Sequence, residues 1–226
     1  MTIELLRGNL VVSCQAHGSH PLRDAGTIGA LAECAVIGGA AGIRADGPED
    51  IAEIKRRVQV PVIGIHKVPS GERFFITPTF EHARSIVEAG ADIVALEATF
   101  ENTPDDEALE RLIRSIREDL RIPVMADISV LEEGRRAWEF GADLVGSTLS
   151  GYTRESLDAQ KPDLPLVEEL AKSGVRVACE GHVGTPEQAR AAFERGAWCV
   201  VVGTAITDPV SLTARFVEGA GIREEP

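Results

Sequence analysis

Short apolar runs rich in Val, Ile and Leu alternate with stretches of helical period from Leu10 to Val217. The runs predict strands over Leu10–Gln15, Gly42–Ala45, Val62–His66, Ile93–Leu96, Val124–Asp127, Leu144–Gly146, Val175–Cys179 and Cys199–Val202. Between them, apolar positions three and four apart predict helices over 26–38, 48–58, 80–89, 105–119, 131–140, 163–173, 186–195 and 209–218. Near-continuous apolar strands, each followed by a helix, belong to a parallel sheet covered on both faces. Eight such units favour a closed (β/α)8 TIM barrel of the α/β class, a single domain over 1–226, with a doubly wound open sheet as the runner-up.

The strand starts carry a repeat. Ala89-Gly90-Ala91-Asp92-Ile93-Val94, Phe140-Gly141-Ala142-Asp143-Leu144-Val145 and Arg195-Gly196-Ala197-Trp198-Cys199-Val200 are versions of one phrase, a helix closed by glycine that runs straight into a strand. They recur at about the length of two βα units. Val60-Pro61-Val62 and Ile122-Pro123-Val124 use proline instead, which cannot continue the preceding helix. Odd and even strands thus start differently, as expected where alternate strands fill alternate layers of a barrel.

A hydrophobic content of 44% in 226 residues is enough for one well-buried core. The net charge of −13 argues against a nucleic-acid surface, though helix N-termini can still hold a small anion. No window approaches transmembrane length and no leader pattern precedes Leu10, so a soluble, cytoplasmic protein without a membrane partner is expected. Cys14, Cys34, Cys179 and Cys199 form no CxxC pair and read as reduced, mostly buried thiols.

In a barrel of this kind chemistry gathers at the C-terminal strand ends. Those positions are Gln15, Arg44, Lys67, Glu97, Asp127, Ser147 with Thr148, Glu180, and Gly203 with Thr204, far more polar than the strands leading to them. Gly181, His182 and Gly184 precede Thr185 and Pro186, an N-cap and a first helical residue, and Gln188 is placed to close a capping box. With Gly203 and Thr204 these glycine loops predict an anion site. Lys67 and Glu180 lie on strands facing each other across the barrel, which suits proton transfer. Each also has a plain reading, Lys67 as a surface ammonium or phosphate contact and Glu180 as its distant salt partner. Arg44 could hold an oxyanion, and Asp127 sugar hydroxyls or a metal. Without His-x-His or His-x-Asp nearby, no metal is expected.

Ser13-Cys14-Gln15-Ala16, Gly42-Ile43-Arg44-Ala45, Ile63-Gly64-Ile65-His66-Lys67, Phe75-Ile76-Thr77-Pro78-Thr79, Ala126-Asp127-Ile128-Ser129, Thr148-Leu149-Ser150-Gly151-Tyr152-Thr153 and Glu180-Gly181 occur in this order. Together they resemble the N-acetylmannosamine-6-phosphate 2-epimerases, over roughly Asn9 to Val217. The resemblance implies a cofactor-independent barrel that interconverts N-acetylmannosamine 6-phosphate and N-acetylglucosamine 6-phosphate in sialic acid and amino-sugar catabolism. It implies Lys67 as base, Glu180 as acid, and Gln15, Arg44 and Asp127 as sugar ligands. Three positions depart from the family pattern: His182 and Asp208 stand where arginine is usual, and Glu97 where aspartate is. A related N-acylhexosamine, a Schiff-base lyase using Lys67, or a non-catalytic sugar-phosphate sensor are the alternatives, and a homodimer is compatible with all of them.

Overall fold

The computed structural model describes residues 2–71 and 73–221. Eight parallel strands close into a barrel in chain order: β1 (Asn9–Cys14), β2 (Gly42–Asp46), β3 (Val62–Ile65), β6 (Ile93–Glu97), β7 (Val124–Asp127), β8 (Leu144–Gly146), β9 (Val177–Glu180) and β10 (Cys199–Val202), which returns to β1. The two missing numbers belong to an antiparallel hairpin, β4 (Lys67–Ser70) and β5 (Arg73–Ile76), that rises out of the third unit. Around the barrel run α1 (Ala25–Ile37), α2 (Pro48–Arg57), α3 (Phe80–Glu88), α4 (Asp106–Asp119), α5 (Leu131–Glu139), α6 (Leu164–Lys172), α7 (Pro186–Glu194), the short α8 (Thr204–Thr207) and α9 (Pro209–Gly219). The fold is the predicted (β/α)8 barrel, and the open sheet is set aside by the β1–β10 pairing.

Successive side chains of a strand point to opposite faces, and this splits the apolar residues into two layers. Val12, Ile43, Val62, Val94, Val124, Val145, Val177 and Val200 face the helices. Val11, Ile63, Ile93, Met125, Leu144, Ala178 and Cys199 fill the barrel interior, with Ile3 and Leu6 of an N-terminal 3-10 turn packed among them. Each fully buried Ile or Val contributes about 1.5–3 kcal/mol by leaving water. Gly64 is required by packing, because a β-carbon there would lie 2.7 Å from that of Ala91. The repeated glycines Gly90, Gly141 and Gly196 have φ of 107°, 102° and 90°, the left-handed turn that ends a helix in front of a strand.

The hairpin was not predicted. Ser70-Gly71 is a turn dipeptide between two short runs, but Pro69 and the single strand assumed for this unit hid it. Its base is pinned by Thr77, a β-branched residue at φ 48°. Thr77 is fully buried; its amide donates to His66 O (2.8 Å) and its hydroxyl to Ala95 O (2.7 Å). Glu180, expected just past its strand, is the last residue of β9. Among the described residues no helix is long and apolar enough to cross a membrane.

Candidate active site

The interior period of two continues past the last apolar layer, and there the side chains turn polar. Val11 leads to Ser13, Ile65 to Lys67, Ala95 to Glu97, Met125 to Asp127 and Ala178 to Glu180, while Val201 leads to Gly203, which has no side chain. Over this layer opens a cavity of about 1040 Å³. Its wall includes Gln15, Arg44, Lys67, Thr148, Glu180, Gly181, His182, Gly203 and Thr204, so of the predicted strand-end and loop positions all but Glu97, Asp127 and Ser147 meet there.

Lys67 is held on the inner side. Gln15 Nε2 donates to Ser13 Oγ (2.7 Å), which turns Gln15 Oε1 to accept from Lys67 Nζ at 2.8 Å. His17 Nε2 lies 3.0 Å from the same Nζ, and the Phe74 ring of the hairpin covers it with its centroid 6.0 Å away. Asp46 Oδ1 accepts the Lys67 backbone N–H (2.9 Å) while Oδ2 lies 3.5 Å from His17 Nδ1. Burial pushes the Lys67 ammonium below its ordinary value, opposed by Asp46 and reinforced by Arg44.

Across the mouth, Arg44 is 1% exposed and ties two carboxylates together. It donates to Asp127 through Nη1 (3.1 Å) and Nη2 (2.6 Å), and through Nη1 to Glu180 Oε2 at 2.8 Å. Thr148 Oγ1 adds a hydrogen bond to Asp127 Oδ1 (2.6 Å). Burial would lower the Arg44 pKa, but Asp127 and Glu180 overcome it and hold the guanidinium charged. Burial pushes Glu180 up to about 7; Arg44 pulls it back and neighbouring Asp127 adds to the rise. Asp127 therefore differs from its expected place as a sugar ligand. It is fully buried behind Arg44 and acts on the mouth through Arg44 and Thr148.

The glycine loops close the far side. Gly181 has φ 97°, and a β-carbon there would stand 3.2 Å from Thr148 O. Among the described residues the amides of His182, Val183, Thr204 and Ala205 donate to no partner. Thr185 caps α7 by accepting Gln188 N–H, but Gln188 Oε1 accepts from Gly184 N (2.7 Å), so the capping box does not close. The side chain instead stiffens the loop one residue earlier. His182 stacks on Tyr152, centroids 4.8 Å apart, and burial with nearby Lys161 pushes its pKa down, so it supplies no cation. Asp208 caps α9, accepting from Val210 and Ser211 amides at 3.0 and 3.1 Å. The sequence reading missed the positive group here, Arg215. Its guanidinium lies 3.7 Å from where a β-carbon on Gly184 would stand, and it lines the cavity. Nothing in the local sequence of α9 marks it, since only the fold carries that helix to the loop.

Other candidates point elsewhere. Glu97 accepts from Thr99 Oγ1 and Asn102 Nδ2, both at 2.7 Å, and its extra methylene is spent on that loop. His66 Nδ1 lies 3.0 Å from Ser85 Oγ and its ring packs on His82, away from the cavity. Cys14 and Cys179 are buried, with thiols pushed up to about 12 by burial, and they pack in the core; Cys34 is exposed. No group of three or more His, Cys, Asp or Glu among the described residues could hold a metal ion.

Residues 28–221 match the NanE family model, described as "Putative N-acetylmannosamine-6-phosphate epimerase". A relative named "Putative N-acetylmannosamine-6-phosphate 2-epimerase" from Caldanaerobacter subterraneus subsp. tengcongensis is 47% identical over 218 residues, covering 95% of this chain and 92% of that one. One of the same name from Cutibacterium acnes is 45% identical over 217 residues, covering 95% and 94%. A solved structure of the N-acetylmannosamine-6-phosphate 2-epimerase from Clostridium perfringens superposes with a TM-score of 0.89 at 39% identity, covering 96% of each chain.

Proposed function

Because this chain belongs to the N-acetylmannosamine-6-phosphate epimerase family, we propose that it interconverts N-acetylmannosamine 6-phosphate and N-acetylglucosamine 6-phosphate with Lys67 and Glu180 as the proton-transfer pair. One observation carries the assignment of roles. Lys67 and Glu180 line the same cavity from opposite sides of the barrel, and burial there moves the Lys67 pKa down and the Glu180 pKa up to about 7, which brings the two groups closer to exchanging a proton with a substrate. Ring opening exposes an aldehyde at C1, which makes the C2 hydrogen acidic. Lys67 takes that proton, the electron pair passes onto the C1 oxygen as an enolate, and Glu180 delivers a proton to C2 from the opposite face. Arg44, paired through both of its terminal nitrogens with Asp127, keeps Glu180 oriented. Gln15 does the same for Lys67. No step requires redox chemistry.

We assign the phosphate to the Gly181–Gly184 and Gly203–Thr204 loops, because amides there have no partner among the described residues and both loops line the same cavity as Arg215. Arg215→Ala is expected to raise KM for the sugar phosphate by about one to two orders of magnitude, the worth of a charge-assisted hydrogen bond, with little change in kcat. The unphosphorylated sugar should show no such penalty. The function is tested by incubating the protein with N-acetylmannosamine 6-phosphate and following the anomeric proton signals. Appearance of N-acetylglucosamine 6-phosphate supports the reading, and an unchanged spectrum, or cleavage to smaller fragments, contradicts it.

A further inference from the structure

A proton-transfer pair that inverts a carbon ends each turnover with its protons misplaced. On the reading above, the C2–H bond broken by Lys67 is replaced by one formed from Glu180. Lys67 is left as an ammonium and Glu180 as a carboxylate. A second turnover in the same direction needs one proton to leave Lys67 and one to reach Glu180. Glu180 keeps 12% of its side-chain surface at the mouth, where water can protonate it. Lys67 Nζ, partly buried in the cavity wall, has Gln15, His17 and the Phe74 ring as its neighbours on the inner side. Of these only an imidazole can take up and release a proton near neutral pH.

His17 has the geometry for that task. Its Nε2 lies 3.0 Å from Lys67 Nζ, and its Nδ1 lies 3.5 Å from Asp46 Oδ2. Asp46 also accepts the Lys67 backbone N–H, so one carboxylate orients both partners. The His17 side chain is 35% exposed. We propose that His17, oriented by Asp46, is the outlet through which Lys67 passes its proton to solvent between turnovers. With Nδ1–H toward Asp46, the Nε2 lone pair accepts the proton from the Lys67 ammonium. The imidazolium then gives a proton to water or buffer, and Glu180 takes one from water, so the cycle balances. The groups around the ring suit this direction. Burial, Lys67 and Arg23 push its pKa down and only Asp46 pulls it up, leaving a neutral ring that releases what it accepts. Phe74, with ring centroids 5.5 Å apart, packs beside it.

His17 acts through Lys67 and not on the sugar, which gives a test that separates relay from structure. In dilute buffer, His17→Ala and His17→Gln should each lose about tenfold or more in kcat. The rate of C2–H loss in a single turnover with protein in excess should stay at the parent value. Added imidazole should restore most of the lost kcat in His17→Ala, where it can occupy the vacated space, and not in His17→Gln. Full turnover in both variants would overturn the proposal. So would a loss that imidazole leaves in place, or a single-turnover rate that falls as far as kcat. Failure of the underlying epimerase reading is distinct, because the parent protein itself would then show no loss of C2–H.

Discussion

Lys67→Ala is expected to lower kcat by about two to four orders of magnitude, the usual cost of losing a positioned proton-transfer group, with KM nearly unchanged. The fold should survive, because the side chain belongs to the mouth and not to either apolar layer. Glu180→Gln should cost a similar factor. It keeps the size of the side chain and an acceptor for Arg44 but has no proton to give. The pH dependence separates this from a packing defect. The pair works with one proton between its two members and titrates as a unit. Below about 7 both groups hold protons, and kcat/KM falls. At high pH both lose them, and the fall begins below the ordinary lysine range because the Lys67 value is lowered. In Glu180→Gln the residual activity should lose the acid limb near 7. Wild-type activity in Lys67→Ala would remove it from the chemistry.

Arg44→Met should cost about 3–5 kcal/mol of unfolding free energy, since it leaves Asp127 and Glu180 buried without their cation. The loss should shrink as pH falls from 8 to 5. Glu180 is already pushed up to about 7 against the pull of Arg44, so without Arg44 it holds its proton still more tightly in the folded chain than in the unfolded one. The folded state then binds more protons, and stability rises as pH falls through that window. Denaturant midpoints at the two pH values check both statements. A loss under about 1 kcal/mol, or one independent of pH, would mean the arginine is not the keystone of the buried cluster. Activity should fall with stability, because Glu180 is oriented through the same guanidinium.

The barrel was legible because its signals are local. Each strand is a short apolar run, and the glycines at 90, 141 and 196 mark helix ends by a conformation other residues resist. The polar strand ends were legible for the same reason, since a period of two carries the interior face from Val11 to Ser13 and from Ala178 to Glu180. What the sequence could not show was partnership. Arg44 looked like a substrate clamp until its fork was seen spent on Asp127 and Glu180. Glu97 counted among the polar strand ends, and its side chain turns to a loop. The two absent arginines suggested a weak anion site, whereas Arg215 comes to the same loop from a helix some thirty residues on. His17 was passed over because its meaning depends on Lys67, fifty residues away in the chain and 3.0 Å away in space.

The central claim is that a proton is removed from C2 and another returned from the opposite face. Proton NMR of N-acetylmannosamine 6-phosphate turning over in deuterated water tests it directly. The account predicts that the C2 proton signal of the product is lost as product forms, because Lys67 passes the abstracted proton to solvent and Glu180 delivers deuterium. Product that forms at full rate while keeping its original C2 hydrogen would contradict it.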